Sequence, residues 1–283
     1  MAHPGSDVSM NSLPGNAPPI IDVRELSKGF RSFRRREGVW GAVQNLVVRE
    51  YKTVEAVRKV NFAIQRGEMV GYIGPNGAGK STVFDLISGR VRATSGVIKL
   101  KGVDVTGMPA HRLGRVGLAR SFQSTSLFTG LTVFDNIRCA VLGSRKASFR
   151  DRWVRSASID RDVEGVLDSM GLSTRRDELA ASLSYAEQRA LDLGIALSTG
   201  ADVLLLDEPT AGMNRAEAER ALTLIRETTQ GKTLLIVEHD MQAVFALADR
   251  ISVLVRGRVI ATGTAAEIKS NVLMREAYLG DAP

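Results

Sequence analysis

An apolar run at residues 69–73 opens directly into Gly74-Pro75-Asn76-Gly77-Ala78-Gly79-Lys80-Ser81, and helix-spaced apolar residues (Val83, Phe84, Ile87) follow before Gly89. Few features restrict a fold so tightly. Glycines at 74, 77 and 79 let backbone N–H groups close around a polyphosphate, and the start of a helix adds favourable partial charge. Lys80 then reaches the terminal phosphates, and the Ser81 hydroxyl can ligate Mg²⁺. Such a loop requires a strand before it and a helix after it, which is the context the flanking residues supply. The expected phosphate-binding set is Gly74, Pro75, Asn76, Gly77, Ala78, Gly79, Lys80, Ser81 and Thr82. A chance glycine-rich turn would lack this context.

A second apolar run, Val203-Leu204-Leu205-Leu206, ends in Asp207-Glu208. A strand that ends in acids delivers carboxylates to the carboxyl edge of a sheet, beside a phosphate loop on the same sheet. Asp207 is then placed to hold Mg²⁺, and Glu208 to polarise an attacking water. Strand-then-helix alternation continues at 203–206, 216–228, 233–237, 241–248 and 251–255, the pattern of a parallel sheet covered by helices. Residues 20–26 and 53–64 also read as strands, whereas 126–192 is helical and charged. The core expected from this pattern is α/β, interrupted by a helical insertion.

Composition excludes several classes. With 283 residues, 44% apolar and 24% charged, the chain can bury a full core. It contains no apolar run of roughly 18 or more, and its Pro-, Gly- and Ser-rich start lacks the order of a signal peptide. One cysteine and three histidines make no metal cluster, and Cys139 reads as a buried structural thiol. The net charge of +7 is concentrated in Lys28, Arg31, Arg34, Arg35, Arg36, Arg49 and Lys52, set against Glu37 and Glu50. A run of this kind can face nucleic acid, anionic lipid or an acidic partner, and a solvated face is its plainest reading.

Further motifs stand in order around the loop and the acid pair. They are Arg120-Ser121-Phe122-Gln123, Leu183-Ser184-Tyr185-Ala186-Glu187-Gln188-Arg189, Ala211-Gly212-Met213-Asn214 and Val237-Glu238-His239-Asp240. With these the chain resembles the ATP-binding subunits of ABC transporters from Val23 onward. The resemblance implies ATP and Mg²⁺ as cofactors and ATP hydrolysis as the activity. It further implies Glu208 as base, His239 at the γ-phosphate, Gln123 as a Q-loop residue near metal and water, and Lys80 on the phosphates. Ser81, Gln123 and Asp207 form the implied metal set. Ser184, Ala186 and Glu187 belong to a signature that closes over ATP bound by a second subunit, so the chain is expected to act as half of a homo- or heterodimer. Where the family commonly has a glycine, this chain has Ala186, whose Cβ is expected to crowd the phosphate and to disfavour positive φ.

The resemblance also implies a fold class and an organisation: α/β, a P-loop NTPase (RecA-like) parallel-sheet core with an antiparallel β subdomain and an inserted α-helical subdomain. Residues 1–19 form a tail expected to be disordered, and 20–283 a single ATPase domain. Within it lie an insert at about 31–52, a helical subdomain at about 126–192, a core at 60–125 and 193–265, and an extension at 266–283. The runs 119–136 and 237–248, with Tyr185 and the ending Ala277-Tyr278-Leu279-Gly280, are most similar to importers of branched-chain amino acids and related amides. Such subunits sit on the cytoplasmic face of the inner membrane as peripheral proteins. Their partners are transmembrane permease subunits, with a periplasmic solute-binding protein beyond, and they make no direct contact with the solute. The insert, which contains Trp40, looks more like subunits of certain ABC exporters, the alternative reading. A non-transport ABC protein acting on nucleic acid or ribosomes is the third, and nucleic acid is not expected as a partner. The insert also leaves two aromatics for stacking on adenine. Phe30 follows a lysine as the family residue does, and Tyr51 has the family-like spacing to Ala56-Val57; Tyr51 is favoured on that spacing.

Overall fold

A computed structural model describes residues 17–33, 51–121, 127–144, 156–272 and 274. The expectations for the tail before residue 17, for the insert between 34 and 50 with Trp40, for Gln123 and for the ending at 277–280 lie outside the described residues.

Two sheets carry the chain. The first is antiparallel, in the order β2-β1-β4-β5, from β1 (Ile21–Phe33), β2 (Tyr51–Ile64), β4 (Ser95–Leu100) and β5 (Val103–Asp104). The second runs β10-β9-β3-β8-β7-β6, from β3 (Met69–Ile73), β6 (Leu118–Ser121), β7 (Val203–Asp207), β8 (Thr233–Val237), β9 (Arg250–Val255) and β10 (Arg258–Gly263). All its neighbours pair in parallel except β10 with β9. Every residue of β7 and β8 is buried, the expected reading of unbroken Leu, Ile and Val runs covered on both faces. Because β3, β6, β7 and β8 point the same way, the segments leaving them emerge along one edge.

The expected interval 60–125 does not lie in one sheet: β4 and β5 fall inside it but pair with β1. Both ends of the expected insert are also strand, since β1 continues to Phe33 and β2 begins at Tyr51, with Phe33 opposite Tyr51.

Helix α1 (Lys80–Ile87) buries Val83, Phe84, Leu86 and Ile87 in a core shared with the antiparallel sheet. The helical region contains α3 (Val133–Ser144), α4 (Ser156–Ser169) and α5 (Tyr185–Ser198). Val133, Ile137, Val163, Leu167 and Leu191 give it a core that runs on into Leu204, Leu206 and Ile236 of the parallel sheet. Cys139 corrects an expectation: it is exposed. The buried stripe of α3 is Val133, Phe134, Ile137 and Val141, and residue 139 falls off that stripe.

The remaining helices are α2 (Ala110–Val116), α6 (Arg215–Thr228), α7 (Met241–Leu247) and α8 (Ala265–Ser270). Helix α7 lies directly against β3, because a Cβ on Gly71 would come within 2.3 Å of Val244. Only glycine allows that approach, which brings the start of α7 close to the strand that feeds the phosphate loop.

Candidate active site

The loop between β3 and α1 closes on its own lysine. Lys80 is buried, and its Nζ donates to the Gly74 carbonyl at 2.5 Å and the Pro75 carbonyl at 3.2 Å. Burial lowers its pKa, and the nearby charge of Glu208 opposes that shift. Gly79 caps α1 in the left-handed region (φ 104°), where a Cβ would stand 2.5 Å from the Ala56 carbonyl of β2. Its conformation and its neighbour both require glycine. The loop is therefore braced by the antiparallel sheet. The Ala78 carbonyl also accepts from the Gly257 N–H, 2.8 Å away, in the β9–β10 turn.

At the exit of β7, Asp207 is buried and Glu208 takes φ 50°. For a residue with a Cβ, that backbone costs about 1–3 kcal/mol and persists only where its surroundings impose it. Here they do: the Glu208 N–H donates to the Val237 carbonyl at 2.8 Å, and His239 Nε2 stands 2.8 Å from Glu208 Oε1. The His239 side chain is half exposed whereas that of Glu208 is mostly covered. A covered carboxylate thus orients an imidazole that reaches open solvent.

Asp207 is not alone either. Arg120 of β6 donates from Nη2 to Asp207 Oδ2 at 2.7 Å, and from Nη1 to Asp85 Oδ1 at 2.7 Å and Ser88 Oγ at 2.8 Å. One guanidinium joins β6, β7 and α1. Sequence reading quoted Arg120 only as a neighbour of Gln123 and gave it no task.

The donor set suits a hard cation. Ser81 Oγ and the Asp207 carboxylate are oxygen donors, and the described residues hold no group of three or more His, Cys, Asp or Glu fit for a metal. Mg²⁺ is commonly held by one or two protein oxygens together with substrate phosphates and water, and this set fits that mode.

Ser184 caps α5 through a reciprocal box. Its N–H and Oγ donate to Glu187 Oε2 at 2.8 and 2.7 Å, and its Oγ accepts from the Glu187 N–H at 3.4 Å. Bonding to Ser184 lowers the pKa of Glu187, and Arg175 adds to that. Among the described residues no hydrogen bond or ion pair joins 184–187 to 74–82.

Ala186 lies in the first turn of α5 and is not among the non-glycine residues with positive φ. Helical φ suits alanine, so its aversion to positive φ carries no cost at this position. Nearby, Gly212 (φ 78°) leans on Tyr185, since a Cβ there would be 3.2 Å from Tyr185 Cε1. A cavity of about 430 Å³ runs between α5 and α6, bordered by Ser184, Ala186, Pro209 and Met213.

For adenine, the register separates the two aromatics. Phe30 pairs with Val54, two positions from the Ala56 that backs the loop; Tyr51 is five positions away. At about 3.3 Å per residue these are roughly 7 and 17 Å along the strand. Phe30 is exposed, with Lys28 Nζ 5.0 Å from its ring centre.

Known proteins show the same layout. The family described as ABC transporter is matched over residues 57–211. The chain is 35% identical over 251 residues to the high-affinity branched-chain amino acid transport ATP-binding protein LivG of Salmonella typhimurium, covering 85% of this chain and 98% of that protein. It is 33% identical to BraF of Pseudomonas aeruginosa, of the same description, covering 80% and 92%. Among solved structures, the ADP conformation of an ATP-binding cassette of an ABC transporter superposes with a TM-score of 0.75 at 23% identity, covering 94% of this chain and all of that one. A dimeric post-hydrolysis cassette bound to ADP and Pi reaches 0.70 at 20% identity, covering 87% and 98%.

Proposed function

The chain belongs to the ABC transporter family of ATP-binding ATPases, and from that premise we propose that it powers import of branched-chain amino acids or related amides; LivG and BraF are named as branched-chain amino acid transport ATP-binding proteins. The observation that carries the catalytic reading is the 2.8 Å pair between Glu208 and His239 at the sheet edge that also bears the lysine loop.

In this reading the loop N–H groups and Lys80 bind the β- and γ-phosphates, and Gly74 to Thr82 enclose them. Ser81 and Asp207 hold Mg²⁺, with Gln123 as a further oxygen donor; the ion supplies charge neutralisation on the phosphates. Glu208 accepts the proton of the attacking water, and His239, held by Glu208, donates to the γ-phosphate. Phe30 stacks on adenine in preference to Tyr51, which the register leaves farther along β2. Subunit partners belong to the same reading. Ser184, Ala186 and Glu187 complete the site of a second ATP-binding subunit, identical or related, and that subunit returns the contact.

Phe128, Leu131 and Leu179 are exposed apolar residues, and backbone bonds join 128 to 131 and 131 to 180. This patch is the docking face for a transmembrane permease subunit, through which closure on ATP is passed to the membrane. No helix among the described residues is long and apolar enough to cross a membrane, in keeping with a peripheral subunit on the cytoplasmic face. A periplasmic binding protein would select the solute, with no residue here touching it. Uptake of radiolabelled leucine by cells lacking this chain tests the assignment: the wild-type gene should restore uptake and a Lys80→Ala gene should not. Restoration by the variant, or none by the wild type while another solute's import returns, contradicts it.

A further inference from the structure

Glu238 is a buried carboxylate for which the nucleotide chemistry above has no use. It follows the last residue of β8 and is 4% exposed. Both oxygens are engaged. Oε1 accepts from the Thr210 N–H at 2.8 Å and from Thr210 Oγ1 at 2.7 Å, and Oε2 accepts from the His239 N–H at 3.2 Å.

Burying an acid here is costly: desolvation raises its pKa, partly offset by the bonds from Thr210 and His239, while the charge of Glu208 adds to the rise. An apolar side chain would fill the space without that cost. What the carboxylate adds is a joint between two chain segments. One leaves β7 as Asp207-Glu208-Pro209-Thr210; the other leaves β8 as Glu238-His239-Asp240. The first carries the base and the second its imidazole partner.

We propose that Glu238 is a positioning residue for ATP hydrolysis: by bonding Thr210 and the His239 backbone together, it sets the register at which Glu208 and His239 meet. The inference rests on the roles of Glu208 and His239 given above. Thr210 leads into Ala211 and Gly212, and Gly212 packs on Tyr185, whose hydroxyl accepts from Arg189 Nη2 at 2.7 Å. The same joint therefore ties His239 to the first turn of the signature helix α5. Contiguity alone does not establish coupling, so the test is a mutant cycle.

Glu238→Gln keeps the shape of the side chain but leaves one acceptor oxygen, so it can serve Thr210 or His239 and not both. Thr210→Val keeps volume and removes only the hydroxyl bond. In the purified full-length chain, Glu238→Gln should lower kcat about tenfold or more, with KM and nucleotide Kd within about twofold and melting curves showing a folded protein. Thr210→Val should lower kcat in the same sense, and the double variant should lose no more than the larger single loss, as expected of partners in one joint. Thr210→Ser, which restores the hydroxyl, should recover most of the rate. A wild-type kcat in Glu238→Gln, losses that multiply in the double variant, or affinity falling in step with kcat would each overturn the proposal. If Glu238→Gln does not fold, Thr210→Val and Thr210→Ser decide it by the same kcat and Kd readings. Glu208→Gln assayed alongside keeps the two readings distinct. Turnover retained there overturns the catalytic assignment and this inference with it, whereas turnover lost there but kept in Glu238→Gln overturns this inference alone.

Discussion

Arg120 stands between Asp207, Asp85 and Ser88 with its side chain 6% exposed, and its forked geometry reaches all three. Removing the cation leaves Asp207 buried beside a second carboxylate, so Arg120→Leu should lose about 3–5 kcal/mol in denaturant unfolding, more than a surface pair would. A loss below about 1 kcal/mol would mean that the network is incidental. Nothing local foretells this residue's importance, because its partners are 87, 35 and 32 positions away. Glu238 was hidden in the same way, quoted in a motif for the histidine beside it. The adenine contact differs again, since spacing favoured Tyr51 while register favours Phe30. Phe30→Ala should weaken ATP affinity about tenfold, given the roughly 1–3 kcal/mol of base–aromatic stacking, and Tyr51→Ala should change it little; fluorescent-nucleotide titration distinguishes them, and the opposite order returns the role to Tyr51.

Elements were readable where hydrophobic period and burial agree. The runs at 69–73, 203–206 and 233–237 became β3, β7 and β8, and within 126–192 the described residues include α3, α4 and the first part of α5, with 3-10 turns at Ser173–Arg175 and Ala180–Ser182. Strands β4, β5, β6 and β10 gave no such signal. Strand β6 is four residues, Leu-Ala-Arg-Ser, with a buried arginine at its third position, and β5 is two exposed residues, so neither offers a pattern to read. The antiparallel sheet is joined to the parallel one at Asp202, just before β7, which pairs with Lys101 and lies 3.8 Å from Arg66. The bond from Lys101 lowers the pKa of Asp202 from its ordinary 3.8. The folded protein therefore keeps Asp202 charged where the unfolded chain takes up a proton. The stabilisation is present above that ordinary value and is lost as pH falls below it through the lower folded value. Melting temperatures measured over that range should fall less steeply in Lys101→Met than in the wild type; parallel curves would deny the link.

At the scale of the whole molecule, the lysine loop and acid pair predicted a sheet edge that gathers phosphate, base and imidazole, and the topology β3, β8, β7, β6 supplies one edge for all of them. That much was legible because each motif had to follow a strand of one parallel sheet. The resemblance also implies that 184–187 serve the ATP site of a second subunit, and we propose that hydrolysis here needs a second copy or relative to close on the chain. The account thus joins two claims, a base at Glu208 and a site shared between subunits, and a single comparison reaches both. Purified wild-type chain and Glu208→Gln should be assayed for ATP hydrolysis and, with ATP and Mg²⁺, for mass by light scattering. The account predicts that the wild type turns over ATP, whereas Glu208→Gln binds ATP equally well, loses at least about a hundredfold in rate and accumulates as a dimer. Undiminished hydrolysis by Glu208→Gln, or a variant that binds ATP yet stays monomeric, would contradict it.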